Sequence, residues 1–139
     1  MGFKNQYGQV SLIIENNVVI AHFKGYVTAG LLNAFKAELF ETIKSFKGEP
    51  WAYISDSLDV LAATPEAERE MIDISRVMAE NNCLTSAFVL TSAIAINQMK
   101  RILLCAKRNV NFSGSLFTDL DSAKQFISDN LKSKQGQLI

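Results

Sequence analysis

Residues 53 to 70, YISDSLDVLAATPEAERE, hold the densest set of groups in this chain that could do chemistry. The hydroxyls of Ser55, Ser57 and Thr64 stand beside the carboxylates of Asp56, Asp59 and Glu66. A carboxylate pair such as Asp56 and Asp59 divides acid and base work only where a cleft separates the two pKa values. Turn and capping chemistry accounts for the same residues. Asp and Ser satisfy backbone groups in turns. Thr64-Pro65-Glu66 reads as an N-cap hydroxyl, a proline at the first helical position and an acid in the first turn. The stretch is therefore read as a passage from strand to helix.

A second cluster is cationic. Lys100 and Lys107, and Arg101 and Arg108, are each seven residues apart. They stack on nearly one helix face, opposite Met99, Leu103 and Ala106. A basic amphipathic helix suits an acidic protein surface or an anionic membrane. Four charges are few, so a protein partner is expected before a lipid surface. The acid-rich helix of a second copy, in a homodimer, is one such partner.

Other chemistry is missing from the sequence. No dinucleotide or P-loop glycine motif occurs, nor a nucleophile elbow or a zinc-protease motif. His22 is the sole histidine, and Cys83 and Cys105 have neither CxxC spacing nor a nearby His. No structural metal site, no Cys–His nucleophile and no cofactor is expected. Both cysteines read as buried small hydrophobes in a reducing compartment.

At 139 residues, 48% hydrophobic and 20% charged, the chain fits one globular domain. Fourteen basic residues balance fourteen acidic ones, which leaves no surplus for neutralising phosphates and argues against nucleic acid. Along the chain the balance is uneven: residues 49–80 carry a net −6 and residues 81–118 a net +4. Two surfaces of opposite sign would serve recognition or self-association. The opening MGFKNQYGQV lacks the apolar core of a signal peptide. Gln6 stands where a myristoylation signal needs Ser or Thr. No apolar run approaches a membrane span, and the expected location is the cytoplasm.

The elements that must position these groups are set by periodicity. Two β-branched runs, about 9–14 and 18–24, flank Asn16-Asn17 and read as a hairpin. Val19, Ala21 and Phe23 share its inner face, which leaves His22 and Lys24 on the other. Thr28 caps a helix of about 29–46 with Leu31, Leu32, Phe35, Leu39, Ile43 and Phe46 in one stripe. A short strand, 51–55, precedes the passage into the second helix. That helix buries Met71, Ile74, Val77 and Met78 and stops at Asn81-Asn82. SAFVLTS, 86–92, reads as a central parallel strand. Thr91 or Ser92 then caps a third helix, with Met99, Ile102, Leu103 and Ala106 inward. A last strand of about 112–117 leads to Thr118-Asp119-Leu120-Asp121, a capping pattern that starts a helix carrying Leu120, Ala123, Ile127 and Leu131. The order ββαβαβαβα predicts a single α/β domain over 1–139, with a mixed, mostly parallel sheet and right-handed crossovers. Its core spans about 9–132, and 133–139 reads as a frayed tail.

Over residues 9 to 132 this pattern resembles the SpoIIAA-like proteins, small bacterial relatives of the STAS (anti-sigma-factor antagonist) domain, whose sheet topology is related to Sec14-type folds. The hairpin, GYVTAGLLNAFKAEL, WAYISDSLDV, ATPEAE and the closing LFTDLDSAKQFI carry the resemblance. It implies a regulatory turn at Asp56, Ser57, Thr64 and Glu66. Regulatory members of the family place a phosphorylatable Ser at the start of this helix, where free N–H groups and the helix dipole receive a phosphate. Here Pro65-Glu66 stands in that place, and Thr64 is the nearest hydroxyl. Glu66 would supply a constitutive negative charge. Two functions are expected from this reading. The first is a non-enzymatic protein-interaction and regulatory module, with Lys100, Arg101, Lys107 and Arg108 as its docking charges. The second is a carrier of a small apolar ligand or lipid in a Sec14-like pocket.

Overall fold

The sheet begins earlier than periodicity suggested. In the structure, a computed structural model that describes residues 2–108 and 111–137 with side chains through residue 132, a short strand β1 (Gly2–Lys4) pairs antiparallel with β2 (Gly8–Glu15). Three residues are too few to show alternation. The turn between them is made by Asn5, whose side chain accepts from the N–H groups of Tyr7 and Gly8 at 2.8 and 3.0 Å. Asn16, at φ 56°, closes the expected hairpin between β2 and β3 (Val18–Val27), a conformation Asn tolerates better than most residues with a side chain. Where Gly8 faces Gly25 the strands approach so closely that a Cβ on Gly8 would lie 2.4 Å from the Tyr26 carbonyl oxygen.

From β3 onward every strand is followed by a helix. These are α1 (Ala29–Ser45), β4 (Trp51–Ala63), α2 (Pro65–Glu80), β5 (Cys83–Val89) and α3 (Ala93–Cys105). A 3-10 turn at Ser113–Ser115, β6 (Leu116–Phe117) and α4 (Leu120–Gln137) complete the order. The six strands lie in chain order across one mixed sheet, antiparallel through β1–β3 and parallel from β3 to β6. The α/β class expected from the sequence is the one observed.

The core has two sides. Val19, Ala21, Phe23, Trp51 and Tyr53 pack with Leu32, Phe35 and Leu39 of α1 and with Met71, Ile74 and Met78 of α2. On the opposite face Ile20, Ala52, Ile54, Ala87 and Val89 pack against Ala123 and Ile127 of α4. Ala95 and Leu103 of α3 close a third cluster with Phe88 and Leu90. Among the described residues no helix is long and apolar enough to cross a membrane.

Several boundaries move. The strand expected at 51–55 runs thirteen residues, so positions 56–63, read as turn, are extended backbone paired with β3. Asn82, at φ 70°, ends the turn after α2 at once, and β5 starts three residues earlier than expected and stops before Leu90. The cap of α3 is Ser92, whose hydroxyl accepts from the Ala95 N–H. At α4 it is Asp119 that caps: it accepts from the Ser122 N–H at 2.7 Å and from the Ser122 hydroxyl at 2.9 Å. Cys83 is buried as expected, but Cys105 is exposed, because it lies past the Ile102–Leu103 stripe on the outer side of α3. The expectation of a frayed tail falls largely on side chains outside the described residues; the α4 backbone is helical to Gln137.

Tyr53 is buried, and its hydroxyl has no hydrogen-bond partner among the described residues. Burial pushes its pKa up, with the neighbouring Ser55 hydroxyl working the other way. A donor left unmade in the interior costs about 1–3 kcal/mol. Tyr53→Phe is therefore expected to leave stability unchanged or raise it by about 1 kcal/mol, read as a higher urea midpoint. A fall would mean that the hydroxyl is bonded after all, to the neighbouring Ser55 hydroxyl or to a buried water.

Candidate functional site

The strand-to-helix segment singled out in the sequence lies at the C-terminal rim of the parallel strands. β4 pairs with β5 only as far as Asp56 opposite Val89, whereas its pairing with β3 continues to Ala63 opposite Val27. The last seven residues of β4 thus have a strand on one side only, and the β3–β4 ladder is bulged twice there. Bulges re-aim side chains, and here they separate residues that are close in sequence.

Asp56 faces the α4 side of the sheet. There Nδ1 of His22 is 3.1 Å from Asp56 Oδ2, and Nε2 is 3.8 Å from Asp59 Oδ2. A carboxylate accepts, so Nδ1 is the donor of the shorter contact. The arrangement orients an imidazole between two acids, and it supplies no nucleophile. Among the described residues no group of three metal-binding side chains forms. Ser57 faces the helices, buried, with its hydroxyl 3.0 Å from that of Ser55. Thr64 caps α2 by accepting from the Ala67 N–H at 3.1 Å. Glu66 is exposed and 3.7 Å from Arg69. Of the four residues of the regulatory turn, only Thr64 and Glu66 come together. The length of β4 carries Asp56 and Ser57 away from the helix start and onto opposite faces of the sheet.

The cationic cluster divides in the same way. Nη2 of Arg101 donates to Glu68 Oε2 at 2.8 Å and Nε donates to Oε1, a bidentate pair between α3 and α2. Lys107 takes φ 57°, and its N–H and that of Arg108 bond back to the carbonyls of Leu104 and Leu103. That is a Schellman ending with Lys in the left-handed position. It turns Arg108 inward, where the guanidinium donates to the carbonyl and hydroxyl of Ser75 and to the Ser86 hydroxyl, each at 3.2 Å. Lys100 and Lys107 remain exposed. Two of the four cations are thus engaged inside the molecule.

Two features at the rim were not read from the sequence. The first is apolar exposure: Tyr26 at 49%, Leu58 at 39%, Leu61 at 56% and Ile94 at 61% lie at the ends of β3 and β4 and in the first turn of α3. The second is a cavity of about 50 Å³ between the end of β4 and α3. Phe23, Val60, Ala63, Met71, Ala95 and Met99 give its apolar wall, and Ser55, Ser57 and Gln98 its polar groups. The Gln98 side chain bonds the Ala63 N–H and C=O at 3.0 and 2.9 Å, bridging α3 to the end of β4. The signal for both was the length of β4, hidden because Leu58–Ala63 mixes an acid, small residues and exposed leucines.

No family model matches the sequence, and no curated protein matches it. Solved structures do. An anti-sigma factor antagonist from Mycobacterium paratuberculosis superposes with a TM-score of 0.58 at 11% identity, over 86% of this chain and 92% of that one. An uncharacterized DUF3478-family protein with a SpoIIAA-like fold, from Shewanella loihica PV-4, gives 0.64 at 11% identity, over 90% and 98%. The structure of SLC26A9 gives 0.55 at 12% identity over 96% of this chain and 26% of that one. The chain has the SpoIIAA/STAS-like fold that its sequence pattern resembles.

The Arg101 guanidinium holds the Glu68 carboxyl below its usual range, chiefly through its hydrogen bonds, against a smaller opposing effect of burial. A depressed carboxylate pKa stabilises the fold above the ordinary carboxylate range and ceases to do so as pH falls through it. Arg101→Ala is therefore expected to lower the urea midpoint near neutral pH, with the gap to the wild type closing in acid. Lys100→Ala, which removes a cation with no carboxylate partner among the described residues, is expected to show no such gap. Parallel urea titrations across pH check both.

Proposed function

We propose that this chain is a non-enzymatic protein-interaction module of the STAS-like regulatory kind, acting in the cytoplasm and docking through the C-terminal rim of its sheet. One observation carries the reading. Tyr26, Leu58, Leu61 and Ile94, four large apolar side chains, are exposed at the same end of the sheet as the start of α2. Large apolar side chains left exposed at one end of a sheet favour a partner that removes them from water. The name of one structural neighbour, an anti-sigma factor antagonist, supports a protein as that partner.

The state of the hydroxyls supports a module without a phosphate switch. Ser55 and Ser57 are buried against each other, Thr64 is engaged as a cap, and Pro65-Glu66 occupies the first turn of α2. The fixed charge of Glu66 at that helix start replaces a charge that phosphorylation would add and remove. The same arrangement supports a role without catalysis, since the one histidine is flanked by acids rather than by a hydroxyl or thiol. A homodimer through the rim belongs to the same reading.

The test is capture from the native host with wild-type protein and with a Leu58→Asp/Leu61→Asp variant. Both positions are exposed, so the variant's stability is expected to stay within about 0.5 kcal/mol. Partner recovery is expected to fall at least about tenfold. Equal recovery of the same partners by a folded variant would sink the rim as the docking surface.

A further inference from the structure

We propose that the cavity between β4 and α3 is a binding site for a short aliphatic molecule carrying one hydroxyl or carbonyl oxygen. The proposal stands apart from the docking role of the rim and does not need it. The cavity exists because β4 outlasts β5: on the β5 side no strand lies beside its last seven residues, and α3 bridges the gap without filling it. Its wall is apolar except at the floor and the mouth.

The floor is the hydroxyl pair of Ser55 and Ser57, which are 1% and 6% exposed and 3.0 Å apart. One hydrogen lies between the two oxygens. The other hydroxyl hydrogen, and the lone pairs not used in that bond, remain to be satisfied. Buried hydroxyls with unspent bonding capacity favour a tenant that can meet it. A molecule with a carbon body and one oxygen matches both the wall and the floor.

Size narrows the class. About 50 Å³ is well below the ~150 Å³ of a benzene-sized cavity and far below the ~300 Å³ at which pockets for larger ligands begin. It suits roughly two or three carbons. Met71 and Met99 are unbranched, with three rotatable bonds each, and a rotamer change in either widens the space. The pocket is partly open to solvent as it stands, and the two Gln98 bonds that hold α3 to the end of β4 line it.

The test uses intact protein labelled at the methionine methyls, titrated with propan-2-ol and, separately, with xenon, which has the apolar body and no oxygen. Saturable shifts of Met71 and Met99 are expected with both probes, and Met78, buried on α2 away from the cavity, is expected to stay fixed. Ser57→Ala is expected to weaken propan-2-ol by about three- to tenfold and leave xenon unchanged. Ala95→Leu, which fills the cavity, is expected to abolish both responses. Should that variant fail to fold, the contrast between the probes in Ser57→Ala decides alone. Shifts that stay linear to on the order of 100 mM, or that reach Met78 equally, overturn the site. Equal weakening of both probes by Ser57→Ala overturns the oxygen-binding floor.

Discussion

The rest of the structure depends on the burial of β4 from both faces. Trp51 and Tyr53 point to α1 and α2, while Ala52 and Ile54 point to α4, and the first five residues of the strand are buried. Each fully buried large side chain of this kind contributes roughly 1.5–3 kcal/mol. The start of the strand is also fixed in register. The Trp51 indole N–H donates to the Asn81 carbonyl at 2.6 Å, its backbone N–H donates to the Asn82 carbonyl, and its ring stacks on Phe46. With the strand anchored at that end, its extra length emerges at the other. The rim, its exposed leucines and the cavity all arise from that one-sided overhang.

The same overhang decides what the charges do. Read along the sequence, residues 49–80 are acidic and 81–118 basic, which suggested two opposed outer surfaces. Folding brings the two segments together instead: α2 and α3 lie side by side, and Glu68 meets Arg101 across the gap. One pair of that complementarity, Glu68 with Arg101, therefore joins two helices of one molecule. Arg108 goes further inward because the left-handed Lys107 redirects the chain after α3.

Features that rest on local chemistry were legible in the sequence. The Asn16 hairpin, the Thr28 and Thr64 caps, the Asn81-Asn82 stop and most of the core stripes of the four helices are set by residues within a turn of each other, although Val77, expected inward on α2, is only half-buried and Ser75 is buried beside Ile74. The inner face of β3 was legible too, because alternation survives wherever one face is buried. Features that depend on partners distant in sequence were not legible. β1 has three residues and exists only as a ladder to its neighbour, and of the last strand expected at about 112–117 only Leu116–Phe117 is a strand, after a 3-10 turn at Ser113–Ser115. Asp56 meets His22 through a parallel register 34 residues apart. Two bulges in the same ladder, each an inserted residue without a sequence mark, set which way the later residues of β4 face. The candidate regulatory turn looked continuous in the sequence for that reason, and β4 divides it.

Polarity beneath the helix layer sets how α3 is held. Ser55, Ser57, Ser75 and Ser86 are all buried, and small hydroxylated side chains fill less space and gain less from burial than the leucines beside them. In place of that cohesion α3 is held by directed bonds: Gln98 to Ala63, Arg101 to Glu68, and Arg108 to Ser75 and Ser86. Directed bonds fix register well, but each can be exchanged for water or a ligand group at small net cost, whereas an apolar contact has no such substitute. The attachment of α3 near the rim is thus set for position more than for strength, and regions held this way open at lower free energy than the core.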